Sequence, residues 1–262
     1  MQTCAKLAIQ SSIVDFLIGN AMKIFLLASF LAITGCITTG LPSPTALRNK
    51  NFDKIYKIDV PGYGTTGTGF ALKTKHGVLL MTAGHVCDDN LIIKGKKIGL
   101  VGVDMGGKSY PQEGLKLSKF NDICVFAKLP KDAPAFELAD LPQKIEDITM
   151  MGFPGNRGLT VLSGHVGKLD VKTQLPLERK PADCVAPGFK PFPQGQAPDN
   201  CLMVANTRQT SIVATGGFSG SPLFNEDNKV VGIASFVNTR AMNLMNIVPL
   251  EHLHEEIEQL KL

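Results

Sequence analysis

Three stretches of the chain hold side chains that could do chemistry together. "GGFSGSPLF", Gly216 to Phe224, sets one serine, Ser219, on a turn between glycines just before an apolar strand. "VLLMTAGHVC" ends a buried strand in small residues and then offers the imidazole of His85. "KFNDICVFAKL" opens another apolar strand with Asp122. A serine hydroxyl is a weak nucleophile until a base takes its proton, and a neutral imidazole accepts one near pH 7. Glycines let the backbone turn tightly enough for two N–H groups to converge on one negative oxygen. Each stretch alone has an ordinary structural use as well: glycine–serine turns join strands, and an aspartate before a strand caps a turn. The other histidines are less well placed. His76 falls in a hairpin turn, His165 inside a strand, and His252 and His254 on the terminal helix.

The elements that must position these groups read as strands. "YKIDV", "TGFALKT", "GVLLMTA", "KIGLVGV" and "DICVFAKL" form a first series of short apolar runs between turn residues. "DITMMGF", "TVLSGHVGKL", "CLMVAN", "SPLFN", "KVVGIASFV" and "MNIVPL" form a second. Such spacing predicts an all-β barrel or sandwich. "PKDAPAFELADLPQK", Pro130 to Lys144, is the expected crossing between the series. Only "PLEHLHEEIEQLKL" departs from the pattern. Leu250, Leu253, Ile257 and Leu260 recur there at three- and four-residue spacing, which predicts one apolar helix face.

Composition narrows the partners. The 262 residues are 44% hydrophobic and carry a formal charge of only +4, with basic residues spread along the chain, so no nucleic-acid partner is expected. No zinc-ligand or P-loop pattern appears. No metal and no cofactor is expected.

The first 35 residues read as something other than the folded domain. "MKIFLLASFLAITGC" places a lysine before an apolar run and then small residues, the pattern of an export signal. Its end, Ile33-Thr34-Gly35-Cys36, resembles the lipobox of bacterial lipoproteins, which implies lipidation of Cys36 and a membrane-anchored protein of the cell envelope, facing the periplasm or exterior. Residues 1–21 read as an upstream extension with Met22 as the start. Residues 36–52, "CITTGLPSPTALRNKNF", read as the tether. Export permits disulfides. Cys184 and Cys201 bracket a loop rich in Pro and Gly, a candidate bridge worth roughly 3 kcal/mol in the entropic account. Four mature-chain cysteines besides Cys36 leave the connectivity open.

Taken together, "GTGFAL", "TAGH", "NDICV", "MGFPG" with "SGHVGKL", and "GFSGSPLFN" with "VVGIAS" resemble, in order, the trypsin-like (chymotrypsin-fold) serine peptidases. The likeness is to their bacterial and viral branch, which includes the HtrA-type proteases. The resemblance implies two six-stranded antiparallel β-barrels with a C-terminal helix, spanning residues 53–262. The first barrel would run from about 53 to 130, the second from about 145 to 250, and the helix from about 250 to 262. It implies a serine endopeptidase acting on protein or peptide substrates, with Ser219 as nucleophile, His85 as general base and Asp122 orienting the imidazole. The backbone N–H groups of Gly217 and Ser219 would form the oxyanion hole. The substrate pocket would be built from Val213 at its floor and from Ser235, Phe236 and Val237 on its wall strand. With no carboxylate at Val213, and Ala234 where viral relatives carry a histidine, small or medium apolar residues are expected before the cut bond.

Two departures stand out. Phe218 occupies the place of the aspartate that activates the digestive zymogens. The chain closes on its helix, so no PDZ domain is expected. Cys87 and Cys124 each follow a triad member by two residues, which brings them close as core thiols or as a pair. The competing reading is a catalytically silent relative that binds a protein at the envelope.

Overall fold

The computed structural model of the protein describes residues 44–261 other than 63, 88–91, 94–95, 98, 114–115, 119–120, 142–146, 179–188, 192–199 and 239–243. Helix α1 (Pro44–Asn51) opens it, so the second half of the segment read as tether is helical. Proline suits a first helical position, and Ala46, Leu47 and Arg48 are good helix formers. A turn at Phe52–Lys54 leads into β1 (Ile55–Val60), β2 (Gly64–Thr74) and β3 (Gly77–Ala83). The short pair β4 (Ile92–Ile93) and β5 (Lys96–Lys97) stands apart as its own two-stranded sheet. Then come β6 (Val101–Val103), β7 (Ser109–Pro111), β8 (Lys116–Ser118) and β9 (Ile123–Lys128). The first sheet has the order β7-β6-β1-β2-β3-β9-β8. Just beyond β7, Glu113 donates its N–H to Phe126 of β9 at 2.9 Å, which curls the sheet back on itself.

The second sheet comprises β10 (Asp147–Gly152), β11 (Thr160–Glu178), β12 (Phe189–Pro191), β13 (Asn200–Val213), β14 (Pro222–Phe224), β15 (Val230–Asn238) and β16 (Leu244–Pro249). Its order is β11-β10-β14-β15-β16-β13-β12, and pairing of β11 with β13 closes it. The expected chymotrypsin-like architecture of two antiparallel barrels and a terminal helix is present, each sheet having seven strands once the shortest are included. Helix α2 (Leu250–Glu258) follows β16 directly and buries Leu250, Leu253 and Ile257, with Leu260 buried just past its end, as the spacing predicts.

Three cores explain why the strand runs are so uniformly apolar. One lies inside the first barrel around Ile58, Ala71, Leu80 and Phe126. Another lies inside the second, around Met150, Leu223, Val231 and Ile247. A third is shared: Phe70, Leu72 and Met81 meet Phe153, Phe224, Ile233 and Val248, with Leu253 and Ile257 of α2. Alternate residues of a strand point to opposite faces. On β3, Leu80 therefore enters the first barrel while Leu79 and Met81 enter the shared core. Both faces are dry, so the strand shows no alternation.

Two connections tie the halves further. The crossing segment pairs with β2 at Phe136 and with β15 at Leu138, and the Phe136 ring lies 4.5 Å from that of Phe224. At the start of the domain, the buried Asn51 exchanges two side-chain hydrogen bonds with Asn228 on the β14–β15 turn, at 2.6 and 3.1 Å.

Candidate active site

His85 sits on the single turn Gly84–Cys87 that follows β3, and Asp122 sits immediately before β9. Because β3 and β9 are paired, Ala83 opposite Ile123, both side chains emerge at the same end of one ladder. Gly84 donates its N–H to the Asp122 carbonyl at 2.8 Å. The carboxylate then takes the His85 N–H at 2.8 Å and Nδ1 of the imidazole at 3.0 Å from each oxygen. Asp122 is fully buried and adopts a left-handed backbone, φ 51°, a conformation that aspartate tolerates better than most residues. Its second oxygen also accepts the hydroxyl of Ser235. A buried charge needs several donors, and this one has them.

Two residues beyond each of these side chains, Cys87 and Cys124 form a disulfide with Cα atoms 6.2 Å apart. Of the two readings left open by the sequence, the pair is the one found. The Cys184–Cys201 bridge lies outside the described residues, since neither side chain is among them.

Ser219 comes from the other barrel, on the turn between β13 and β14. Its hydroxyl donates to the Ser235 carbonyl at 3.0 Å. Ser235 thus touches the serine through its backbone and the aspartate through its side chain. It does so at a β-bulge, where the β15–β16 register shifts between Ala234 and Phe236. Gly217 has φ 96° and Gly220 has φ 85°, and a side chain at either would collide with neighbouring backbone, at Phe153 and Thr68 respectively. Four consecutive carbonyls of the turn are occupied. Gly216 accepts from Gly155 N–H at 2.9 Å, Gly217 from the Thr68 hydroxyl at 2.8 Å, Phe218 from Ser221 N–H at 2.9 Å and Ser219 from Thr68 N–H at 2.8 Å. The N–H groups of Gly216, Gly217, Phe218 and Ser219, in contrast, make no hydrogen bond to any described residue, those of Gly217 and Ser219 among them. Phe218 explains the missing acid: its ring is buried in the core of the second barrel, where a carboxylate would have no partner.

The pocket residues fare unevenly. Val213 is 60% exposed at the end of β13, which does not suit the floor of an enclosed pocket. The Ser235 hydroxyl is buried against Asp122 rather than turned to a substrate side chain. The bulge causes this by turning the residue toward the first barrel. Phe236 is half-buried on the wall strand, and the Val237 side chain lies outside the described residues. Opposite Phe236 the ladder places Asn246, buried, with neither end of its carboxamide hydrogen-bonded among the described residues. Sequence reasoning missed Asn246 and Thr68. A threonine two residues before Phe70 and four before Leu72 lies on their face of the strand, which is a usable signal for a buried polar group.

With this geometry in place, comparison with known proteins is direct. A family model described as the trypsin-like peptidase domain matches residues 67–233, well over half of the chain. The chain belongs to that family and is a serine endopeptidase. Among solved structures, the active form of the Rv3671c protease from M. tuberculosis superposes with a TM-score of 0.59 at 15% identity, over 84% of this chain and 88% of that one. The HtrA-type protease AlgW with a tripeptide gives 0.56 at 15% identity, over 83% of this chain and 63% of that one. A serine endoprotease from Yersinia pestis gives 0.56 at 16%, over 84% and 66%. At such identities these likenesses establish the fold. No curated protein sequence matches the chain.

Proposed function

We propose that the protein is a lipid-anchored endopeptidase of the cell envelope that works through a His85–Asp122–Ser219 triad and an acyl-enzyme intermediate. The observation that carries the catalytic part is the carboxylate of Asp122, which holds Nδ1 of His85 at 3.0 Å and leaves Nε2 as the basic nitrogen. In the reaction, Ser219 Oγ leaves the Ser235 carbonyl and attacks the substrate carbonyl carbon while its proton passes to Nε2 of His85. The negative oxygen formed is met by the N–H groups of Gly217 and Ser219, neither of which is bonded to a described residue. Nε2 then returns the proton to the leaving amine as the C–N bond breaks, giving an ester on Ser219. Water, deprotonated by the same nitrogen, cleaves the ester and restores the serine.

A fluorophosphonate reacts only with an activated serine, so it tests this reading directly. Labelling of the wild-type protein and none of Ser219→Ala is the expected result. A folded wild-type protein that resists the reagent would favour the silent, protein-binding alternative. The anchor is carried by Cys36 at the end of its apolar run. Incorporation of a palmitate analogue into wild type but not Cys36→Ser tests it. A mature N-terminus well downstream of Cys36 would refute it.

A further inference from the structure

We infer that Thr68, on β2 of the first barrel, is a positioning residue for the oxyanion-binding turn of the second. This deepens the proposed function and rests on it for its catalytic consequence. Thr68 is fully buried, and every hydrogen-bonding group of its hydroxyl and backbone that faces the junction is in use. Its Oγ1 donates to the Gly217 carbonyl at 2.8 Å and accepts the Phe153 N–H at 3.0 Å. Its own N–H donates to the Ser219 carbonyl at 2.8 Å, and its carbonyl accepts the Thr82 hydroxyl at 2.7 Å. One residue therefore fastens two alternate carbonyls of the turn, those of Gly217 and Ser219, and also the strand end that leads to Gly155.

Geometry turns that fastening into an effect on chemistry. Gly217 and Ser219 are the residues whose N–H groups are the proposed oxyanion donors, and neither N–H is bonded to a described residue. A peptide unit is planar and joins one residue's carbonyl to the next residue's N–H, so the N–H groups of Gly217 and Ser219 move with the carbonyls of Gly216 and Phe218. Thr68 holds the carbonyl on the other side of each Cα, which leaves only φ and ψ of that one residue between the fixed group and the N–H. Gly217 is where that matters most, because it carries one of the proposed oxyanion donors. With φ 96° and no side chain, it resists rotation little. The Thr68 hydroxyl supplies the restraint that a Cβ would otherwise give, and a Cβ cannot be fitted there because it would collide with the Phe153 carbonyl. A hydroxyl is also the group required, since it must donate to Gly217 and accept from Phe153 at once. Valine has the same shape and can do neither.

Thr68→Val and Thr68→Ser in the full-length protein test this. With fluorescein-labelled casein, the valine variant should lose about 10²-fold in kcat with KM within about twofold, the size of a misplaced oxyanion donor. The serine variant should stay within about threefold of wild type. Hydrogen exchange over residues 214–221 reads the brace without any chemistry. It should quicken about tenfold in Thr68→Val and not in Thr68→Ser. Unchanged exchange in a folded Thr68→Val protein overturns the inference, as does a serine variant that falls as far as the valine one. Should Thr68→Val melt below the assay temperature, Thr68→Cys, with its weak thiol donor, takes its place with the same outcomes. A wild-type enzyme that fails to react with fluorophosphonate would sink the proposed mechanism and leave the exchange result to decide the brace separately.

Discussion

The two halves of the site are held by different means. His85 and Asp122 belong to one barrel, on adjacent strands, joined by three hydrogen bonds to a single carboxylate and backed by a disulfide two residues away. Ser219 and the proposed oxyanion donors belong to a glycine turn whose carbonyls are pinned in part by the opposite barrel. The proposed acid–base half is thus built within one folding unit. The proposed nucleophile half is complete only when the two barrels are docked, because β2 supplies some of its bonds.

The strongest break in that comparison is chemical. Ser219→Ala should reduce casein hydrolysis by about 10⁴- to 10⁶-fold while the melting temperature stays within a few degrees, and His85→Ala should cost nearly as much, since triad members act as a unit. Undiminished turnover by Ser219→Ala would place the nucleophile elsewhere. A second break acts on the stapled half. Replacing Cys87 and Cys124 by alanine removes a loop-closing bridge worth about 4 kcal/mol in the entropic account, which should lower the melting temperature by about 10 °C. An unchanged melting point would show that hydrogen bonds alone hold that half.

The residue that touches both halves gives a smaller effect. Ser235→Ala leaves its carbonyl for Ser219 but takes one donor from a buried carboxylate, and kcat should fall about tenfold. A loss as large as that of His85→Ala would make the hydroxyl part of the chemistry itself. The smallest expected change is a gain. Asn246→Leu replaces a buried carboxamide that no described residue hydrogen-bonds by a side chain of similar size, and should add about 1 kcal/mol of stability. A loss of stability would mean that the carboxamide is solvated or bonded in solution.

Much of this candidate site was legible because chemistry restricts residue type. A serine among glycines, an imidazole after small residues and an acid at a strand head can be picked out one by one, and their order made the family readable. The terminal helix was equally plain from four apolar positions. What stayed hidden depends on direction. Ser235 looked like a pocket wall because it lies on the wall strand, yet a bulge turns its hydroxyl toward Asp122. Val213 looked like a floor by counting residues, and its exposure says otherwise. The bond from Thr68 spans 149 positions of sequence, and no local pattern announces it. The cysteine pair was half visible, since equal offsets from two neighbouring side chains imply nearness without choosing between thiols and a bridge.

The Asn51–Asn228 pair has a mechanical meaning. Chain arriving from the N-terminal side is clamped to the β14–β15 turn before it becomes β1. A pull on α1 therefore divides at Asn51, part going along the backbone into the first barrel and part across the side chains into the second. Tension applied from upstream loads the two barrels in parallel and does not peel β1 away by itself. The clamp acts as a strain relief, much as a cable is tied to a housing before it reaches the contact it feeds.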